Sequence, residues 1–253
     1  MGKTVTFNLG GNTITATGSI FSVVGNLNLS NGSLVSSGSD GINIDGGSVI
    51  LTNVNISALA GRALRVLETG GNLTVNGGSF HSREMCVQMI KNANVVINSG
   101  EFISDDNGVL MDNGTARFGN NNLTVNGGYF EGRIQSDGYL AFVIHHAQSG
   151  IFNINGGTFK AINGAGFVSR AGELNVNNCT IICGNDESIS GWVGDNKLQI
   201  GCYPLVYCEK AKYPAVDTLA INIGENVTFD GGVDGAKVQY LLSDNVEPNI
   251  TGV

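Results

Sequence analysis

Carboxylates gather in two neighbouring stretches of this 253-residue chain. Between Phe102 and Phe130 stand Asp105, Asp106, Asp112 and Arg117; between Phe130 and Phe159 stand Glu131, Arg133, Asp137, Tyr139, His145 and His146. Two carboxylates at a suitable separation can cleave a sugar chain, and so can a carboxylate cluster holding calcium beside a base that removes a proton. Tyr139 offers a ring on which a sugar can stack. The local sequence argues the other way, because Asp-Asp-Asn-Gly and Ser-Asp-Gly are ordinary turn sequences whose carboxylates are simply solvated. No catalytic residue is therefore assigned. Asp105, Asp106, Asp112, Arg117, Arg133, Asp137 and Tyr139, with the single Trp192, form a candidate surface for a glycan or a partner.

His145 and His146 follow the alternating stretch LAFVI, so one should face inward or into a corner and the other outward. No third ligand accompanies them, and neither a metal nor a cofactor is expected. The stretch SGSDGINIDGG at 37–47 lacks the nonapeptide period of a calcium-binding repeat. Cys86, Cys179, Cys183, Cys202 and Cys208 are odd in number and contain no Cys-x-x-Cys pair. Small buried thiols are expected, not a zinc cluster or a disulfide framework.

A net charge of −8 with only 13 Lys and Arg argues against a nucleic-acid groove and against anionic membrane surfaces. No run of 18 apolar residues exists, so no membrane insertion is expected. The N-terminus MGKTVTFNLGG lacks the basic start and apolar stretch of a secretory signal. Composition is the stronger clue: 38 Gly, 31 Asn and only 3 Pro describe a chain that turns often and regularly.

The elements that must position any site come from a repeated phrase. NLTVNGGSF at 72–80 returns as NLTVNGGYF at 122–130, and looser copies begin at Thr6, Asn26, Ser48, Asn94, Ile151, Glu173 and Ala220. Its second and fourth positions are apolar throughout, as in Leu73 and Val75 or Leu123 and Val125. Its ninth runs Ile14, Leu34, Ile56, Phe80, Phe102, Phe130, Phe159 and Ile181, and Phe229 follows in the last copy, which carries one extra residue. Residues two apart on a strand share a face, so each copy reads as strand, corner, strand. Copies recur every 20–29 residues, and the final gap of 48 reads as two turns. A second alternation lies between copies, in SIFSVVG, GINID, ALRVL, CVQMI, GVLMD, AFVIH and GFVSR, and supplies a third face. Asn76, Asn98, Asn126, Asn155 and Asn177 share the fifth position, where Asn tolerates a left-handed backbone and can bond to its counterpart one repeat away.

The expected fold is all-β: a single-stranded parallel β-helix of about ten coils, regular over 1–181 and less regular over 182–253, within one domain. The ladder of x-Leu-x-Val-x-Gly-Gly-x-Phe phrases resembles the right-handed parallel β-helices of bacteriophage tail spikes, fibres and head decorations. It is also similar to bacterial surface adhesins and pectate-lyase-like polysaccharide enzymes. The resemblance implies right-handedness and a structural or display role in a virion, with possible contact to a cell-surface glycan. A polysaccharide-binding or -cleaving enzyme and a cell-surface adhesin module are the alternatives. In the segment after Ile182, Trp192, Tyr203, Tyr207 and Tyr213 suit either a contact patch or the closure of the last coils. Val5, Phe7 and Leu9 enter the core columns almost at once, so the N-terminal end is expected to be covered by an identical subunit or another virion protein.

Overall fold

The computed structural model describes residues 2–106, 108–112, 118–133, 141–185, 191–193, 198–213, 216 and 218–253, with backbone alone at 141 and 191–193. No α-helix occurs among them; two short 3-10 turns interrupt an otherwise all-β chain.

Two parallel sheets carry the architecture. The path of the first runs Thr4–Asn8, Asn26–Ser36, Ser48–Ala58, Gly71–Ser82, Ala93–Ser104, Asn121–Val125, Gly150–Ile154, Gly172–Val176, Leu219–Ile223 and Ile250–Thr251. Past the corner the same sheet continues through Thr13–Ala16, Tyr129–Gly132, Gly157–Ala161, Cys179–Ile182 and Thr228–Asp230. The second sheet stacks Phe21–Val23, Ile42–Ile44, Leu64–Val66, Val87–Met89, Leu110–Asp112, Ala141–His146, Gly164–Ser169, Leu205–Cys208 and Val238–Leu241. Each repeat of the sequence thus supplies one rung to both sheets, and chain order is preserved from rung to rung.

Register follows the repeat. Leu73 pairs with Val49 and Val95, Val75 with Leu51 and Ile97, and Phe80 with Ile56 and Phe102. The same columns continue through Leu123, Val125 and Phe130 to Phe152, Ile154 and Phe159. All of these side chains are buried in one core. Phe80, Phe102, Phe130 and Phe159 stack face to face, with centroid separations of 4.6, 4.9 and 4.7 Å. That spacing is the strand spacing of a sheet, so the rings repeat because the backbone does. All five cysteines are free and buried; burial pushes the thiols of Cys86, Cys179 and Cys183 up to about 12.

Three sequence expectations are corrected. The first copy is misaligned by two residues, since Val5 pairs with Leu27 and Phe7 with Leu29. Seven residues separate Phe7 from Ile14, where five separate Leu29 from Leu34. Gly10 and Gly11, both at positive φ, take up the extra length, and Leu9 packs over Gly32 instead of joining a strand column. Second, the 48-residue gap is one rung and not two, because Leu174 pairs directly with Ile221 and Phe167 with Leu205. The surplus residues form an excursion containing the antiparallel pair Gly191–Val193 and Leu198–Ile200. Third, Asn76, Asn98, Asn126, Asn155 and Asn177 are not left-handed. Positive φ falls one position later, at Asn31, Asn53, Gly77 and Asn178.

The Asn ladder itself is present from Asn76 to Asn155. Asn98 Nδ2 donates to Asn76 Oδ1 at 2.7 Å, Asn126 to Asn98 at 2.8 Å and Asn155 to Asn126 at 3.1 Å. Two further ladders run beside it, on its N-terminal side along the strands. One joins Asn72, Asn94 and Asn122, and the other joins Asn153, Asn175, Asn222 and Thr251. Stacked amides satisfy one another because identical side chains meet at the strand spacing.

Candidate functional site

The first candidate site lies on the corner that follows the Phe column. Leu59, Arg83, Asp105, Arg133 and Ile162 occupy equivalent places, each N–H bonding a carbonyl of the rung before. Two residues back along each strand, His81, Ile103, Glu131 and Lys160 are register partners. Charged groups therefore meet across rungs by construction. His81 Nε2 lies 2.8 Å from Asp105 Oδ2, and Arg133 Nη1 lies 3.6 Å from Asp105 Oδ1. Arg133 Nε reaches Glu131 Oε1 at 2.6 Å, while Glu131 Oε2 accepts from Tyr129 at 2.6 Å and from Lys160 at 3.4 Å.

Burial alone would raise the Glu131 carboxyl, but hydrogen bonds from Tyr129 and Arg133 and the charges of Arg133 and Lys160 outweigh it and hold it below the usual carboxylate value. The Tyr129 hydroxyl is pushed up to about 12, first by burial and then by its bond to Glu131. A general acid for glycoside cleavage needs a raised carboxyl, the opposite of Glu131. Beside this zipper, Ala58, Leu59, His81, Arg83, Asp105 and Asp106 border an open cleft of about 400 Å³. The sequence-chosen residues Asp105, Asp106 and Arg133 thus come together, and they adjoin His81, Glu131 and Lys160, which composition alone did not connect to them.

Asp112 goes elsewhere. It sits in the innermost column of the second sheet, where Val23, Ile44, Val66 and Met89 give way to Asp112, His146, Ser169 and Tyr207 on successive rungs. Its side chain and that of His146 are wholly buried. The Asp112 carboxylate accepts from His146 Nδ1 at 2.8 Å and from the backbone N–H groups of Ala147 at 2.5 Å and Gln148 at 3.2 Å. It therefore holds the turn into Gly150–Ile154 and takes no part in an exposed surface. Asp, His and Ser on consecutive rungs are the residue types of a nucleophilic triad. The geometry is not one: neither His146 Nε2 nor Ser169 Oγ has a hydrogen-bond partner among the described residues, and both side chains are closed off from solvent. The signal was present in the sequence, where GVLMD, AFVIHH and GFVSR place Asp112, His146 and Ser169 at a position that earlier repeats fill with Val, Ile or Met.

No family model matches the chain, and no significant match to a curated protein or a solved structure was found. The residues must speak for themselves.

His145 and His146 do alternate, with His146 stacked on Phe152 at 3.9 Å in the core and His145 pointing outward. The outward histidine is nonetheless buried. Leu198, Ile200 and Tyr203 from the excursion pack with Met85, Met111, Phe142 and Val168 over the outer face of the second sheet. Burial first, and the charge of Arg170 next, hold the His145 imidazole well below its ordinary value. Arg170 itself donates to the Ala211 carbonyl and stacks over Tyr213. The segment after Ile182 thus covers a flank, while Ile250–Thr251 adds to the far end of the first sheet. Tyr207 is a core residue. Arg117, Asp137, Tyr139 and the side chain of Trp192 lie outside the described residues.

Proposed function

We propose that this chain is a rigid, non-catalytic structural or display element: a single right-handed parallel β-helix serving as a fibre, spike or decoration component of a bacteriophage particle. The observation that carries the rod is the column register, which relates each residue to its counterpart one repeat on from Thr4–Asn8 through Leu219–Ile223. Two parallel sheets threaded in the same order by one chain suit a solenoid whose stability grows by stacking. Right-handedness and the virion come from the resemblance of the phrases.

The polar corner at His81, Asp105, Asp106 and Arg133 is the surface best suited to a host glycan. Its cleft offers alternating donors and acceptors beside the exposed side chain of Leu59. Catalysis there is disfavoured because Asp105 and Glu131 are engaged by His81, Arg133, Tyr129 and Lys160. Incubation with a panel of bacterial capsule and wall polysaccharides tests the reading. Retention of a polysaccharide without new reducing ends or unsaturated sugars is expected. Cleavage that disappears in Asp105→Asn or Asp106→Asn replaces the display role with an enzyme. Labelled antibody against the chain should decorate intact virions from the producing lysate, and decoration of the bacterial envelope instead would favour an adhesin.

A further inference from the structure

The excursion after Ile182 has a cysteine at each of its stems. Cys183 directly follows the strand Cys179–Ile182, and Cys202 stands three residues before the strand Leu205–Cys208. Both are thiols and both are buried. One short segment holds the two stems together. The Cys183 N–H donates to the Asp230 carbonyl at 2.9 Å, the Gly232 N–H to the Gly184 carbonyl at 3.1 Å, and the Val233 N–H to the Cys202 carbonyl at 3.2 Å. The Cys202 side chain leans on the first stem, since a Cβ on Gly184 would lie 3.7 Å from its Sγ. Burial first, and the neighbouring Cys202 thiol next, push the Cys183 thiol up, whereas the main influences on Cys86, Cys179 and Cys208 include no other thiol. No group of three His, Cys, Asp or Glu side chains placed to hold a metal ion occurs among the described residues, so the chemistry open to the pair is that of two thiols.

We propose that Cys183 and Cys202 are a disulfide-forming pair, a covalent clasp that closes the excursion at its base. The oxidant is a small-molecule disulfide. One cysteine thiolate attacks a sulfur of that disulfide, which releases one small thiol and leaves a mixed disulfide on the protein. The second cysteine thiolate then attacks the protein sulfur of the mixed disulfide, forming the Sγ–Sγ bond and releasing the other small thiol. Two electrons and two protons thus pass from the cysteines to the two released thiols. Buried thiols hold little thiolate at neutral pH, so the bond forms as the chain folds and not by attack on the finished structure. Its effect is local: Ile200 and Tyr203, close on either side of Cys202, pack with Met111 and Phe142 on the outer face of the second sheet, and the clasp fixes the stem that carries them.

The inference stands on the two stems alone and holds whether or not the rod belongs to a virion. Refolding of the full chain from urea in a buffer of reduced and oxidised glutathione, followed by alkylation in denaturant and mass spectrometry, provides the test. Three alkylated cysteines out of five are expected, with Cys183 and Cys202 joined in one pair of peptides on non-reducing digestion. The oxidised chain should melt several degrees above the reduced one, because the bond restricts the unfolded state. Cys202→Ser should lose that difference and alkylate at all its remaining cysteines, whereas Cys179→Ser should keep it. If a serine variant does not fold, the peptide map of the unaltered chain decides alone. Five alkylated cysteines after refolding overturn the proposal, as do glutathione adducts without an internal bond, a bond between any other pair, or equal melting points of the oxidised and reduced chains.

Discussion

The ring of Phe130 lies 4.9 Å from that of Phe102 at an interplanar angle of 10°, although 28 residues of chain separate them. Phe159 repeats the relationship on the next rung at 4.7 Å. The ring of Phe130 is thus sandwiched between two others, with no room for the neighbours to relax into a vacated site. Phe130→Ala should cost about 3–5 kcal/mol, read from the midpoint and slope of a urea transition. A loss below about 1 kcal/mol would mean that the column is not packed as described.

Asn98 both donates to Asn76 at 2.7 Å and accepts from Asn126 at 2.8 Å. Each such bond contributes about 0.5–1.5 kcal/mol net, so Asn98→Ala should cost about 1–3 kcal/mol despite its surface position. Asn98→Asp sets a carboxylate against the Asn76 oxygen and should destabilise further as the carboxyl ionises. Thermal melts of the two variants above and below the carboxylate range check both statements.

Much of this was legible in the sequence because the fold is repetitive. Period-two alternation at fixed offsets defines which residues stack, and it placed Leu73, Val75, Phe80 and their counterparts correctly. It failed where the period changes. Gly10 and Gly11 lengthen the first corner without altering the hydrophobic pattern, so Phe7 and Leu9 looked like the next strand pair. In the excursion after Ile182 the added residues fold back over a neighbouring face, a tertiary event with no local signature. That cover also bears on His145: alternation predicted that one of the two histidines faces outward, but not that the outward one would be buried, beside Phe142 and under a cluster that Leu198, Ile200 and Tyr203 join. The site was less legible still. Asp105 and Arg133 meet because they share a column, whereas Asp112, seven residues after Asp105, belongs to another sheet and points into the core.

His145 gives stability a pH dependence of defined sign. Its folded-state value is depressed below that of the unfolded chain, so only the unfolded state takes up the proton as the pH falls below about 6.5. Stability should therefore decline from pH 7 towards pH 5, with a slope of at most about 1.4 kcal/mol per pH unit from this group. His145→Leu should flatten that window. Glu131 acts at lower pH: its contribution is present above the unfolded carboxylate value and lost as the pH falls through its depressed folded value. Urea titrations between pH 4 and pH 8 separate the two; unchanged slopes between pH 5 and pH 7 in His145→Leu would remove His145 as the cause.

The central claim is that one column of residues marks equal steps along a single stack. Asn28, Asn153 and Asn222 belong to the same column of the first sheet, with Asn153 five pairings and Asn222 seven pairings from Asn28. At about 4.8 Å per pairing, their backbone separations from Asn28 should be about 24 and 34 Å. Pulsed electron–electron resonance between spin labels on Asn28→Cys and Asn153→Cys, and between Asn28→Cys and Asn222→Cys, measures them directly. Two narrow distributions whose centres differ by about 10 Å, in the order of the rungs, are the expected result. Equal distances, or a shorter one to Asn222, would contradict the stack.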